Sequence, residues 1–189
     1  MANKARVGVL ISGRGSNMMA LADAAAKGAP YEIALVASDR PDAAGLAWAA
    51  EQRLATFALS SKGIGKVAYE AELDSALRGA GAEVIALAGY MRLLSDAFVA
   101  RWRGRILNIH PSLLPKYKGL DTHARAIAAG DAVAGCSVHV VTEELDGGEV
   151  LGQAEVPVLP GDDAASLAER VLAREHQLYP EILSRFVTR

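Results

Sequence analysis

The sequence predicts an α/β protein: a doubly wound, mostly parallel sheet with helices on both faces and a C-terminal antiparallel hairpin. Three observations point to it. Short apolar runs alternate with longer amphipathic patterns through the first half, the signature of βαβ units. A glycine-containing turn, Ser12-Gly13-Arg14-Gly15-Ser16-Asn17, follows the first apolar run and opens the first helical pattern. After Pro111 the alternation gives way to a loop rich in Pro, Lys, Gly and His, and then to two β-type runs about a turn. At 189 residues and 51% hydrophobic, the chain is expected to form one domain over 1–189.

Taken in order, the expected strands of the first half are Arg6 to Ile11, Glu32 to Ser38, Ala55 to Ala58, Val84 to Ala88 and Ile106 to Ile109. Between them Asn17 to Lys27, Ala43 to Gln52, Lys66 to Gly79 and Ser95 to Arg101 carry Ala, Leu and charged residues at helical spacing. A short helix is expected near Ala124 to Ala129. Cys136 to Thr142 and Val150 to Val158 read as strands flanking Glu143 to Glu149, where Asp146-Gly147-Gly148 supplies turn chemistry. A long amphipathic helix follows over Asp163 to Ser184, with Asp162 or Asp163 placed to cap it.

Composition narrows the function. A formal charge of -2 offers no global basic field for nucleic acid, so any anion must be bound locally. One cysteine, Cys136, excludes an intramolecular disulfide and a zinc site built from several thiolates, and suits a reducing cytoplasm. The apolar run Val7 to Ile11 is too short for a signal-peptide core, and no stretch approaches the roughly 20 apolar residues of a membrane span.

The turn at Gly13 to Asn17 places backbone N–H groups at a helix N-terminus, where phosphate is favoured. It is neither a Walker loop nor a full dinucleotide fingerprint, and a bare strand-to-helix turn remains the alternative. Asn108 and His110 stand two apart at the end of a strand, so both side chains point to one face at the carboxyl end of the sheet, where ligands of such folds bind. An amide beside an imidazole can stabilise an oxyanion developing on a carbonyl carbon and exchange a proton. A histidine merely satisfied by hydrogen bonds is the competing reading. Asp146 would lie beside His110 if the hairpin folds over the strand ends, favouring imidazolium; Asp-Gly is also a common turn dipeptide.

Met91-Arg92-Leu93-Leu94 fits either an apolar ligand slot with one cation or plain helix-start packing, and Lys116-Tyr117-Lys118 either an anion patch or a solvated loop. No His-Glu-x-x-His or comparable spacing joins His110, His123, His139 and His176, so no metal is expected. Cys136, inside a strand, is expected to be inert.

These residues, in this order, resemble the folate-dependent phosphoribosylglycinamide formyltransferases over nearly the whole chain. The most specific stretch is Leu107-Asn108-Ile109-His110-Pro111-Ser112-Leu113-Leu114-Pro115, followed by Gly119, Ser137-Val138-His139-Val140-Val141-Thr142 and Leu145-Asp146-Gly147-Gly148. The resemblance implies the formyltransferase fold and a cytoplasmic enzyme of purine biosynthesis. It would take the formyl group of 10-formyltetrahydrofolate, as co-substrate and without metal, to the amine of glycinamide ribonucleotide. It implies that Asn108 and His110 stabilise the formyl oxygen while Asp146 keeps His110 protonated. It places the ribonucleotide phosphate on Gly13, Arg14, Gly15, Ser16 and Asn17, the ribose on Glu175, and the folate against Lys66, Met91, Arg92, Leu93, Leu94 and Asn108. Lys66 stands where relatives often carry arginine, and Asp121 replaces a histidine common there.

Methionyl-tRNA formyltransferase and formyltetrahydrofolate deformylase share the Asn/His/Asp core but normally carry an extra domain; at 189 residues no room is expected for a second, tRNA-binding domain, and the slight negative charge offers no substitute basic surface. A non-catalytic folate- or nucleotide-binding module is the reading from another class. Neither nucleic acid nor membrane is an expected partner, and the oligomeric state is left open, a homodimer included.

Overall fold

The computed structural model describes residues 4–189. The elements, in chain order, are β1 (Ala5–Ile11), α1 (Ser16–Ala26), β2 (Tyr31–Ser38), α2 (Ala44–Glu51), β3 (Thr56–Ala58), α3 (Lys66–Gly79), β4 (Val84–Leu87), α4 (Asp96–Arg101), β5 (Ile106–His110), α5 (Thr122–Ala128), β6 (Val133–Val140), β7 (Val150–Pro157) and α6 (Ala164–Val187). The seven strands form one sheet in the order β3-β2-β1-β4-β5-β6-β7. β1 to β5 pair in parallel, whereas β6 runs antiparallel to both β5 and β7.

The apolar runs are continuous because the central strands are covered on both sides; every residue of β4 is buried. On one face Met18 and Leu21 of α1, Leu46 and Ala49 of α2, and Leu167, Val171, Tyr179 and Leu183 of α6 pack on Val7, Val9, Leu107 and Ile109. On the other, Tyr69, Leu73 and Leu77 of α3 and Phe98 of α4, with Trp102, pack on Leu10, Leu35, Ile85 and Ile106. Fully burying one such side chain contributes roughly 1.5 to 3 kcal/mol. The Tyr179 hydroxyl lies 3.1 Å from the carbonyl oxygens of both Leu87 and Leu107, tying α6 to β4 and β5.

Winding reverses at β1, with β2 on one side and β4 on the other, so the loops leaving β1 and β4 diverge and open the crevice expected of a doubly wound sheet. Ser12 holds that opening together. Its buried hydroxyl donates to Asp39 Oδ1 at 2.6 Å and accepts from the Met91 N–H at 2.9 Å.

The structure differs from the sequence expectation in several places. β6 starts at Val133 rather than Cys136, because Gly135 is a strand residue: a Cβ there would lie 2.0 Å from the Ala154 carbonyl oxygen of β7. β6 ends at Val140, before the expected Thr142. α6 runs on to Val187 with Pro180 inside it, and its N-cap is Asp163 in a capping box with Ser166; Asp162 pairs instead with Arg170. α4 begins at Asp96, capped by Ser95, so Met91 to Leu94 lie outside it.

α2 is docked on the turn after β1 by a hydrogen bond from the Gly45 N–H to the Gly13 carbonyl, 3.1 Å long. A Cβ at Gly45 would meet Ile11 Cδ1 at 2.5 Å and the Arg14 carbonyl oxygen at 3.0 Å. Gly45→Ala is expected to lower the unfolding free energy by about 1 to 3 kcal/mol in urea titrations, the range for overpacking. An unchanged midpoint would mean that α2 does not fix the turn.

Candidate functional site

Alternation along β5 sends Leu107 and Ile109 into the α6-side core and turns Asn108 and His110 to the opposite face. The antiparallel register sets His139 directly across from Asn108. Cross-strand partners share a face, so His139 joins the expected pair. The loop between β6 and β7 then folds back over them. Asp146 adopts φ 48, which Asp tolerates better than most residues, and Gly148 has no space for a side chain, since a Cβ would sit 1.8 Å from the Val140 carbonyl oxygen.

Asp146 is the meeting point. Its side chain is 8% exposed and lies between two imidazoles: Oδ2 is 3.5 Å from His110 Nδ1, and Oδ1 is 3.5 Å from His139 Nε2. Oδ2 also accepts the Gly119 N–H at 2.9 Å. Burial alone would raise this carboxyl; His139, the Gly119 N–H and His110 outweigh it and hold the group below the ordinary aspartate value.

His139 fixes Asn108. Its Nδ1 is 3.1 Å from the Val140 carbonyl oxygen, which can only accept, so Nδ1 carries the hydrogen. In the neutral ring Nε2 is therefore an acceptor and receives the Asn108 Nδ2 amide at 3.2 Å, whereas only the imidazolium presents an Nε2–H to Asp146. Asn108 keeps its second N–H for another acceptor. The sequence reading left His139 without this role, because its only signal is its register opposite Asn108.

These groups form one wall of a cavity of about 710 Å³. Lys66, Met91, Arg92, Leu93 and Leu94 line the same cavity, so all the residues expected to hold folate are brought together with Asn108 and His110. Met91 and Leu93 are 71% and 69% exposed, which rules out the helix-start packing alternative for them. Arg92 stacks over the Tyr69 ring at 4.8 Å. Leu120 lines the cavity too, but the neighbouring Asp121, at φ 56, does not; it is the N-cap position of α5 and makes no side-chain capping bond.

The turn after β1 assembles separately. Gly15 is the N-cap of α1 at φ 73, and no side chain caps the helix, so its first-turn N–H groups face outward unclaimed by one. Asn17 Nδ2 donates to Glu175 Oε2 at 2.7 Å, joining residues from α1 and α6, while Asn17 Oδ1 is buried without a partner. Burial raises the Glu175 carboxyl, and the Asn17 bond only partly opposes it. Gly13, Arg14, Gly15, Ser16, Asn17 and Glu175 thus belong to one corner, linked to the cavity through Ser12 and Met91. Among the described residues no group of three His, Cys, Asp or Glu side chains is arranged to hold a metal ion. Cys136 is buried in β6, with its thiol pushed up to about 12 by burial.

The chain belongs to the formyl transferase family, which matches residues 5–183. Within that family its likeness is to phosphoribosylglycinamide formyltransferases. It is 46% identical to that enzyme of Escherichia coli over 183 residues, covering 94% of this chain and 85% of the relative. The solved structure of phosphoribosylglycinamide formyltransferase from Brucella melitensis is 52% identical, with a TM-score of 0.94 over 98% of this chain and 96% of that one. The trifunctional purine biosynthetic protein adenosine-3 of Drosophila melanogaster is 45% identical over 96% of this chain, which spans only 14% of that protein's length.

Because folding raises the Glu175 carboxyl above its ordinary 4.5, ionising it opposes folding: stability declines as pH climbs from that value through the raised one. Glu175→Gln is expected to flatten this dependence and to raise stability at neutral pH, read from urea midpoints across the acid-to-neutral range. A steeper dependence in the variant would reverse the assignment.

Proposed function

We propose that the chain transfers the formyl group of 10-formyltetrahydrofolate to the amine of 5-phosphoribosylglycinamide, a step of de novo purine biosynthesis. The observation that carries this reading is the convergence of Asn108, His110 and Asp146 on the wall of a cavity of about 710 Å³ that Lys66 and Met91 to Leu94 also line. That volume is within the range of roughly 300 to 1,000 Å³ found for small-molecule sites. The uncapped N-terminus of α1 offers a local anion site at the neighbouring corner, which suits a small phosphorylated acceptor. Family membership and the names of the relatives support the same choice.

In the proposed transfer the amine lone pair forms a C–N bond to the formyl carbon, and the carbonyl π pair moves to oxygen. The free Asn108 N–H and His110 donate to that oxyanion, and ionised Asp146 supplies the opposite charge to an imidazolium. Collapse of the oxyanion breaks the bond to N10. The proton lost by the amine replaces the formyl group on N10, so the products are formylated acceptor and tetrahydrofolate. Neither a covalent enzyme intermediate nor a metal is needed for this balance.

No described helix is long and apolar enough to cross a membrane. A reduced, buried Cys136 is in keeping with work in the cytoplasm on two small-molecule substrates.

The test is turnover of 10-formyltetrahydrofolate followed by absorbance, with and without glycinamide ribonucleotide. Acceptor-dependent turnover is expected, and Asn108→Ala or His110→Ala should each lower kcat by about a hundredfold to a thousandfold, the usual loss for one oxyanion donor. Formate release without acceptor would instead indicate a deformylase, and ligand binding without turnover a binding module.

A further inference from the structure

His110 is held from two sides. Nδ1 faces Asp146 at 3.5 Å, beyond ordinary hydrogen-bond length, while Nε2 lies 2.9 Å from the backbone carbonyl oxygen of Tyr117. A carbonyl only accepts, so Nε2 carries the ring hydrogen, and in the neutral ring the lone pair is on Nδ1.

The carbonyl reaches His110 through an unusual backbone. Tyr117 has φ 54, a conformation that a residue with a Cβ keeps only where its surroundings over-determine it. They do so here. The Tyr117 hydroxyl donates to Asp131 Oδ2 at 2.7 Å, and Lys116 Nζ lies 3.0 Å from each oxygen of the same carboxylate. That arrangement raises the Tyr117 hydroxyl and lowers the Asp131 carboxyl from their ordinary values. The Arg125 guanidinium stacks on the ring at 5.1 Å and donates to the Lys118 carbonyl at 2.7 Å. The Ser112 hydroxyl donates to the Lys116 carbonyl at 2.6 Å, so the chain is braced on both sides of Tyr117.

We propose that Tyr117 is a positioning residue for the reaction: Asp131 clamps its ring, its carbonyl keeps the His110 hydrogen on Nε2, and Nδ1 is thereby the nitrogen turned to Asp146 and the reacting atoms. This rests on the formyl-transfer reading. Tyr117 does not line the 710 Å³ cavity; its ring borders a smaller one of about 310 Å³ across the 111–123 loop. A change at Tyr117 therefore alters the orientation of His110 without removing a ligand contact.

The test pairs a spectrum with kinetics on the full chain. With 15N-labelled histidine, neutral wild-type His110 should carry its proton on Nε2, and Asp131→Asn and Tyr117→Ala should mix the tautomers. Tyr117→Ala should lower kcat about tenfold, the scale of one hydrogen bond, with both KM values within about twofold, and Tyr117→Phe should recover part of the loss. A proton on Nδ1 in the wild type, an unchanged kcat, or a loss confined to KM would overturn the proposal. If Tyr117→Ala does not fold, the wild-type and Asp131→Asn spectra decide alone. The spectra need no substrate, so an inactive chain with the Nε2–H tautomer would refute the activity and leave the positioning standing, whereas an active chain with the other tautomer would refute only the positioning.

Discussion

A carboxylate taken out of water must be answered by charges and donors, and Asp146 imposes that demand on the carboxyl end of the sheet. Leaving such a group unpaired costs several kcal/mol. Its partners come from three separate segments: His110 from β5, His139 from β6 and the Gly119 N–H from the loop after β5. Satisfying one buried charge therefore draws two strands and two loops into a single wall. The nearby ion pair between Lys118 and Glu144, 2.7 Å long but solvated at the rim, adds little by comparison.

The two histidines follow one rule. Each gives one ring nitrogen to a main-chain carbonyl, His139 to Val140 and His110 to Tyr117, and turns the other towards side chains. Main-chain acceptors cannot change protonation state, so they fix the tautomer more firmly than a titrating partner would. The function proposed for Asn108 and His110 thus depends on backbone geometry as much as on the three side chains.

Much of this was legible in one dimension. Short apolar runs at parallel-sheet spacing, the Asn108/His110 pair and the turn residues around Asp146 all speak through local periodicity, and each expected strand and helix is present. What was missed is carried by tertiary register. Gly135 falls outside the expected strand until β7 lies against it, and His139 is anonymous until it faces Asn108. Tyr117 was visible only as part of a Lys-Tyr-Lys loop, because φ and the direction of a carbonyl leave no mark in composition. Lys66 and Glu175 entered the reading through the family resemblance alone, since no period or spacing marks them.

The Ser12 hydroxyl has a consequence for how such a site can change over time. One oxygen joins Asp39 at the end of β2 to the Met91 N–H in the lip of the 710 Å³ cavity, and it belongs to the residue that opens the turn before α1. A substitution at position 12 disturbs both corners in a single mutational step. The two corners are therefore not independent in sequence space, and a change that suits one must be tolerated by the other.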